Sequence, residues 1–302
     1  MTYIFDFFKR ITRNSNIPVD IYLVLNVFVI GYCVAALFQI EYWKAFLLGM
    51  ILYIISLTIA LSPIGEWILR FQMGCKEITR KDHINRIEPL YREAFNKAKK
   101  LVPSIPDDIH LYITDGKDPN AFATGRKTIC LTEGLLGQSD VRIKAVLGHE
   151  FGHIAHKDTD LLLIVLVGNT IFTIAMTAIK MFMLAIGLLF SVFFSFLDNS
   201  KSNSGSFITV ISNLVTTAIV NGIMWVWTKI GVLLIMKSSR ENEYEADEFS
   251  FNLGYGNALC EFLQSLSSNE AKGVFAVLSS THPDKDSRIG RLQALGATYP
   301  NG

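Results

Sequence analysis

Residues 148–158 read GHEFGHIAHKD. Two histidines, His149 and His153, stand four positions apart, and Glu150 follows the first. On a helix, positions i and i+4 lie one above the other on a single face. Two imidazoles so placed can hold one zinc ion, and a glutamate offset to the side can act on water at that metal. The chain has six histidines in 302 residues, so chance yields His-Glu-x-x-His in well under about one such chain in a hundred. The implied chemistry is metal-assisted hydrolysis. It requires a third protein ligand and a fourth position left open.

His156 does not meet that need. It lies seven residues from His149, a helical rise of about 10 Å, too far for both to reach one ion through bonds of about 2 Å. It is expected as a surface residue or an outer neighbour of the site. A metzincin would carry Gly at 156 and His at 159, and His156 with Thr159 excludes that class. The third ligand is therefore expected from a second helix. The segment SSRENEYEADEFS (238–250) offers Glu241, Glu243 and Glu245. Only Glu243 has an aspartate at i+4, Asp247. That pair suits a ligand with a neighbouring acceptor that holds a ligating histidine by its other ring nitrogen.

Several elements must position these groups. In residues 140–156, Ile143, Leu147, Phe151 and Ile154 recur at helical spacing, with Asp140 as the expected N-cap. Residues 89–101 read as a helix. Residues 108–115 alternate as a strand, and 127–132 form a second strand candidate.

Half of the chain is hydrophobic and 18% is charged, against about 25% in soluble domains. The shortfall collects in charge-free runs. Ile21–Ile40 and Ala45–Gly65 form a tight hairpin, each long enough to span a bilayer. Lys9, Arg10 and Arg13 place the N-terminus in the cytoplasm, and Arg70, Lys76, Arg80, Lys81 and Arg86 agree after two crossings. Phe207–Thr228 is another charge-free run, and Leu161–Leu197 is broken only by Lys180. A zinc site shared by His149, His153 and Glu243 needs an even number of crossings between them, so Leu161–Leu197 supplies one. Lys180 is then expected at the far interface, about 29 Å along the helix, with 181–197 running on as an interfacial or tilted extension. The expected organisation is a transmembrane hairpin (1–65), a protease part with the paired histidines (66–160), a second hairpin (161–236) and a C-terminal protease part with the third ligand (237–302). A net charge of +1 gives no field pointing to nucleic acid. The four cysteines show no C-x-x-C spacing and read as reduced, isolated thiols.

With PNAFATG (119–125), VLGHEFGHIAHKD (146–158), SRENEYEAD (239–247) and THPDKDSRI (281–289) in this order, the chain resembles the M48 metallopeptidases over nearly its whole length. The resemblance implies a mainly α fold, with four transmembrane helices and a cytoplasmic gluzincin-type zinc protease domain carrying a small β-sheet. It implies one zinc per chain and a place in the bacterial cytoplasmic membrane. The implied task is stress-linked quality control, the cleavage of unfolded, damaged or misassembled membrane proteins, with self-cleavage as a further activity. By the same resemblance, His149, His153 and Glu243 are zinc ligands, Glu150 is the general base, and Asp247 is the carboxylate behind a ligand. Asn120, Ala121, Phe122 and Ala123 would line the substrate as an edge strand, a way to bind extended peptides through backbone hydrogen bonds. His282 would stabilise the oxyanion, Arg288 would assist, and Asp158 would be structural. The alternatives are a protease that trims prenylated C-terminal peptides, whose relatives carry more spans, and a non-catalytic membrane scaffold. A metal transporter would need ionisable residues within its spans, and here they hold only Lys180.

Overall fold

The computed structural model describes residues 17–197, 204–266 and 285–298. In chain order the elements are α1 (Ile17–Phe38), α2 (Tyr42–Ala60), α3 (Pro63–Gln72), β1 (Lys76–Glu77), α4 (Lys81–Leu101), β2 (His110–Thr114), β3 (Ala121–Ala123), β4 (Thr128–Thr132), α5 (Glu133–Leu136), α6 (Asp140–His156), α7 (Thr159–Leu162), a π-helical stretch (Leu163–Gly168), α8 (Asn169–Leu197), α9 (Ser204–Ser250), a second π-helical stretch (Phe251–Tyr255), α10 (Gly256–Ser265) and α11 (Lys285–Ala294). Two compact units divide the chain, Met1–Ser62 with Ile164–Leu234, and Pro63–Leu163 with Ile235–Gly302.

The first unit holds apolar helices. Asp20–Phe38, Tyr42–Ala60, Thr159–Phe190 and Thr209–Leu234 are each long and apolar enough to cross a membrane, so Leu161–Leu197 lies within one helical run rather than two spans. Lipid supplies no hydrophobic force between helices, so polar side chains and close contacts must hold them together. A buried hydrogen-bonded knot does this. The Asn26 amide donates to the Tyr53 hydroxyl (2.5 Å) and to Asn169 Oδ1 (2.9 Å), and the Trp227 indole donates to Asn26 Oδ1 (2.9 Å). The Asn169 amide donates to the Tyr22 hydroxyl (3.0 Å) and to Thr228 Oγ1 (3.1 Å). Asn169→Leu strips the partner from several buried groups at once. It is expected to cost about 1–2 kcal/mol and to lower the thermal midpoint in detergent; an unchanged midpoint would contradict this role. Lys180 donates to the Leu37 carbonyl near the end of α1, level with the turn between α1 and α2. The helix does not stop there: α8 continues unbroken to Leu197, with Phe182, Leu189 and Phe193 exposed.

The second unit is built on a four-stranded sheet of order β1-β2-β4-β3. β2 and β4 are parallel, while β1 and β3 run antiparallel to their neighbours. One face carries Ala121, Ala123, Ile129 and Leu131 into a core shared with Ile143, Leu147 and Phe151 of α6 and Ile87 and Leu90 of α4. The helix expected at 89–101 begins earlier, at Lys81, and encloses Pro89. A proline inside a helix costs about 3 kcal/mol, yet Ile87, Leu90, Ala94 and Ala98 form one buried stripe through it, and burial of that stripe prevails.

Polar contacts cover the opposite sheet face. Arg70 of α3 donates to Thr128 Oγ1 (2.8 Å) and stacks over the Tyr112 ring (4.8 Å). Glu66 Oε1 accepts the Arg126 backbone N–H (2.9 Å), and Arg126 forms a buried bidentate pair with Asp160 (3.0 and 2.6 Å). Gly125, at φ +151°, leaves room for the Glu66 carboxylate, which a Cβ there would strike.

Candidate active site

Helix α6 carries the paired histidines. Its N-cap is Ser139, and Asp140, expected as the cap, is instead the first helical residue, where its charge favours the helix dipole. The Ser139 carbonyl accepts the Ile143 N–H (3.0 Å), which leaves Asp140 inside the first turn. At the other end Lys157 takes a left-handed conformation (φ 59°, ψ 32°). A non-glycine residue pays about 1–2 kcal/mol for that. The turn it makes folds Asp158 back onto the helix, with Oδ2 3.1 Å from His153 Nδ1.

Helix α9 brings the third group. Gly148 and Gly152 leave a groove along α6: a Cβ on Gly152 would meet the Ala246 Cα at 2.8 Å, and one on Gly148 would meet Ser250 Oγ at 3.0 Å. The Ser250 hydroxyl also donates to the Ala145 carbonyl (2.8 Å). This close crossing sets Glu243 against the histidines. His149 Nε2 and His153 Nε2 are 3.1 Å apart. Glu243 Oε2 is 3.4 Å from His149 Nε2, and Oε1 is 3.3 Å from His153 Nε2.

These donors fit a metal. A tetrahedral zinc with bonds of about 2.0–2.1 Å spaces its ligand atoms about 3.3 Å apart, close to the spacings found. The orientation of each ring agrees. His149 Nδ1 lies 2.9 Å from Asp247 Oδ1, and His153 Nδ1 faces Asp158. Each Nδ1–H then donates to a carboxylate, and each Nε2 keeps its lone pair for an ion. Arg288 Nη2 also stands 3.4 Å from His149 Nδ1, but Asp247 is nearer and is the stronger acceptor. Burial lowers the pKa of both rings, and the carboxylates outweigh it. Asp247 and Glu243 leave His149 raised, and Asp158 and Glu243 leave His153 well above its ordinary value. Such a surplus of negative charge favours a cation. Burial pushes the Asp247 carboxyl up, and Arg288 overrides it, holding the pKa low.

Arg288 is buried and closes the cluster. Its Nε and Nη2 donate to Asp247 (2.7 and 2.6 Å), and Nη1 lies 3.4 Å from Glu243. Glu150 is also buried. It lines one cleft with His149, Arg288, Asn120 and Ala121, so the sheet edge and the two-helix cluster face the same space. His156 sits apart, 3.9 Å from Glu245. His282 lies outside the described residues. The sequence read Asp158 as structural, and its contact with His153 depends on the left-handed turn at Lys157. The small residues at 148 and 152 were the one local hint of the helix crossing.

The edge strand has a defined polarity. The Asn120 carbonyl accepts from Thr132 N (3.0 Å), and the Thr128 carbonyl accepts from Thr124 N (3.1 Å). Opposed residues alternate in an antiparallel pair, so Ala121 and Ala123 turn their backbone groups to the outer edge. The Ala121 N–H meets Asn120 Oδ1 there (2.9 Å). Phe122, opposite Cys130, takes the other sheet face.

Four membrane-length helices and a largely buried His-His-Glu cluster that could hold a metal, beside a sheet edge, point to the class, a membrane metalloprotease. Residues 90–295 match Peptidase family M48, and the chain belongs to that family. It is 30% identical over 217 residues to a Protease HtpX homolog of Sulfurovum sp., covering 61% of this chain and 68% of that one. It is 26% identical to Protease HtpX of Ectopseudomonas mendocina, covering 77% and 81%. A crystal structure of S. mikatae Ste24p aligns at 20% identity and a TM-score of 0.45, covering 96% of this chain and 66% of that one.

Proposed function

We propose that this chain is a zinc endopeptidase that cleaves damaged or misassembled membrane proteins, with its active site and both termini on the cytoplasmic face of a bacterial inner membrane. The observation that carries the reading is the 3.1–3.4 Å spacing of His149 Nε2, His153 Nε2 and the Glu243 carboxylate, in a cleft shared with Glu150 and the edge of β3. The organisation that goes with it is a hairpin at 1–65, protease parts at 66–160 and 237–302, and a second hairpin at 161–236. The basic residues flanking the first hairpin support the orientation.

His149, His153 and Glu243 hold the ion, while Asp247 and Asp158 keep the two rings in the required tautomer. A zinc ion there supplies a Lewis acid that makes water nucleophilic near neutral pH. Glu150 accepts the proton of the attacking water and returns it to the leaving amide nitrogen. Arg288 offsets one of the two negative charges of Asp247 and Glu243 in this buried space and leaves the other for the ion. The backbone of Ala121 and Ala123 aligns an extended substrate as an added strand, with the substrate displacing Asn120 Oδ1 from the Ala121 N–H. Selection is then by unfolded, extended chain rather than by side chain. His282 is assigned to the oxyanion.

The test is cleavage by the full chain, purified in detergent and loaded with zinc. Casein and a misfolded membrane protein are expected to be cut at many internal bonds, and the chain to cut itself, all blocked by a chelator. Trimming confined to C-terminal peptides would contradict the reading.

A further inference from the structure

A surface helix in water turns its apolar side inward and its charges outward. Helix α3 does the reverse. Ile64, Trp67 and Phe71 recur at i, i+3 and i+7, the spacing of one helix face, and are 58%, 58% and 78% exposed. The Trp67 and Phe71 rings stack with centroids 6.2 Å apart, so the face is a continuous apolar strip. Glu66 and Arg70 are the only charged residues of α3, and both grip the turn from β3 into β4 on the opposite side. Glu66 Oε1 accepts the Arg126 N–H (2.9 Å), the Thr128 hydroxyl donates to Glu66 Oε2 (3.3 Å), and Arg70 donates to Thr128 Oγ1 (2.8 Å). Only Leu61 and Ser62 separate α3 from Ala60, the last residue of the membrane-length α2. An α2 that crosses the bilayer therefore delivers α3 to the lipid–water boundary.

We propose that the Ile64–Trp67–Phe71 face of α3 inserts into the lipid–water interface and fixes the height of the substrate-aligning strand above the membrane. An apolar helix face of this kind lies in the interface plane, about 5–10 Å into the boundary of headgroups and acyl chains. The Trp67 indole, apolar in body with a polar N–H, suits the headgroup level. Lipid is the occupant because the strip follows directly on a span: α2 exposes Ile51, Ile54 and Ile55, and α3 extends that apolar surface along the chain with no charge on its outer side.

The grip on the turn between β3 and β4 transmits that height. A helix with its side chains is about 10–12 Å across, so the sheet stands about one helix diameter from the interface. An extended chain advances about 3.3 Å per residue, so it meets the edge of β3 about three or four residues beyond the end of a substrate's own span. Unfolded segments adjoining a membrane anchor are thereby favoured over free chains. This consequence narrows the substrate class of the protease reading above and rests on it, while the contact with lipid does not.

The experiment reconstitutes the full zinc-loaded chain into phosphatidylcholine–phosphatidylglycerol vesicles, with or without phosphatidylcholine brominated near the glycerol end of its acyl chains. The chain has four tryptophans, so the Trp67 signal is read as the difference between wild type and Trp67→Phe. That signal is expected to fall at least about twofold with brominated lipid, given an interfacial depth of about 5–10 Å, and to resist acrylamide in the water. A Trp67 that brominated lipid does not quench overturns the proposal, and if acrylamide is excluded as well, the face belongs to a protein surface instead. A second arm compares cleavage of casein in detergent with cleavage of an unfolded segment attached to a transmembrane anchor in vesicles. Trp67→Ser/Phe71→Ser should keep casein cleavage and lose on the order of tenfold on the anchored segment, and Trp67→Leu/Phe71→Leu should keep both. Equal loss on the two substrates, or no loss on the anchored one, overturns the positioning of the strand. A wild type that cleaves neither refutes the protease reading, and the quenching still decides the lipid contact.

Discussion

Glu150→Gln is expected to lower peptide cleavage by about 10³-fold, the scale of general acid–base catalysis, with zinc content unchanged. Glutamine matches the shape of glutamate but cannot take a proton from water. Glu150 lies one residue past His149, turned away from the stack that His149 and His153 make on α6, so it lines the cleft without joining the 3.1–3.4 Å cluster. Its replacement removes a proton carrier and leaves the donors in place. Cleavage of casein at several substrate concentrations, with zinc measured on the same samples, checks this. A variant that keeps its activity would remove Glu150 from the mechanism, and one that loses its metal would make it a ligand or a support for one.

Glu243→Ala should lose metal and activity together. Losing a hydrogen-bond partner behind a ligand typically costs 10–100-fold in metal affinity, and losing a ligand should cost more than about 100-fold. The fold should survive, because Arg288 keeps both contacts to Asp247 (2.7 and 2.6 Å) and the α6–α9 crossing rests on Gly148, Gly152 and Ala246. Competition with a chelator reads the affinity, and circular dichroism reads the fold. Glu241→Ala and Glu245→Ala are the controls. Glu241 is exposed beside Arg291 at 3.4 Å, and Glu245 faces His156 at 3.9 Å. Wild-type affinity in Glu243→Ala, with loss in either control, would move the third ligand.

Much of this site is legible because it is local. The spacing of His149 and His153 is a helical period, the aspartate four residues after Glu243 is another, and the alternation in 108–115 and the strand candidate at 127–132 mark the stretches that hold β2 and β4. The long apolar runs announce membrane-length helices by composition alone. What sequence hides is set by partners far along the chain. Pro89 reads as a helix start, and only burial of Ile87 with Leu90 against the second unit's core carries the helix back to Lys81. Asp158 meets His153 only through the left-handed turn at Lys157. The Arg126–Asp160 pair joins a strand turn to the segment following α6, and no spacing foretells it.

The most direct test of the central claim is zinc per chain, measured after stripping and reloading, in wild type, Glu150→Gln and Glu243→Ala, beside casein cleavage by the same samples. One zinc is expected in each of the first two and almost none in the third, with cleavage by Glu150→Gln about 10³-fold below wild type and none by Glu243→Ala. Zinc retained by Glu243→Ala, or cleavage by Glu150→Gln near the wild-type rate, would overturn this assignment.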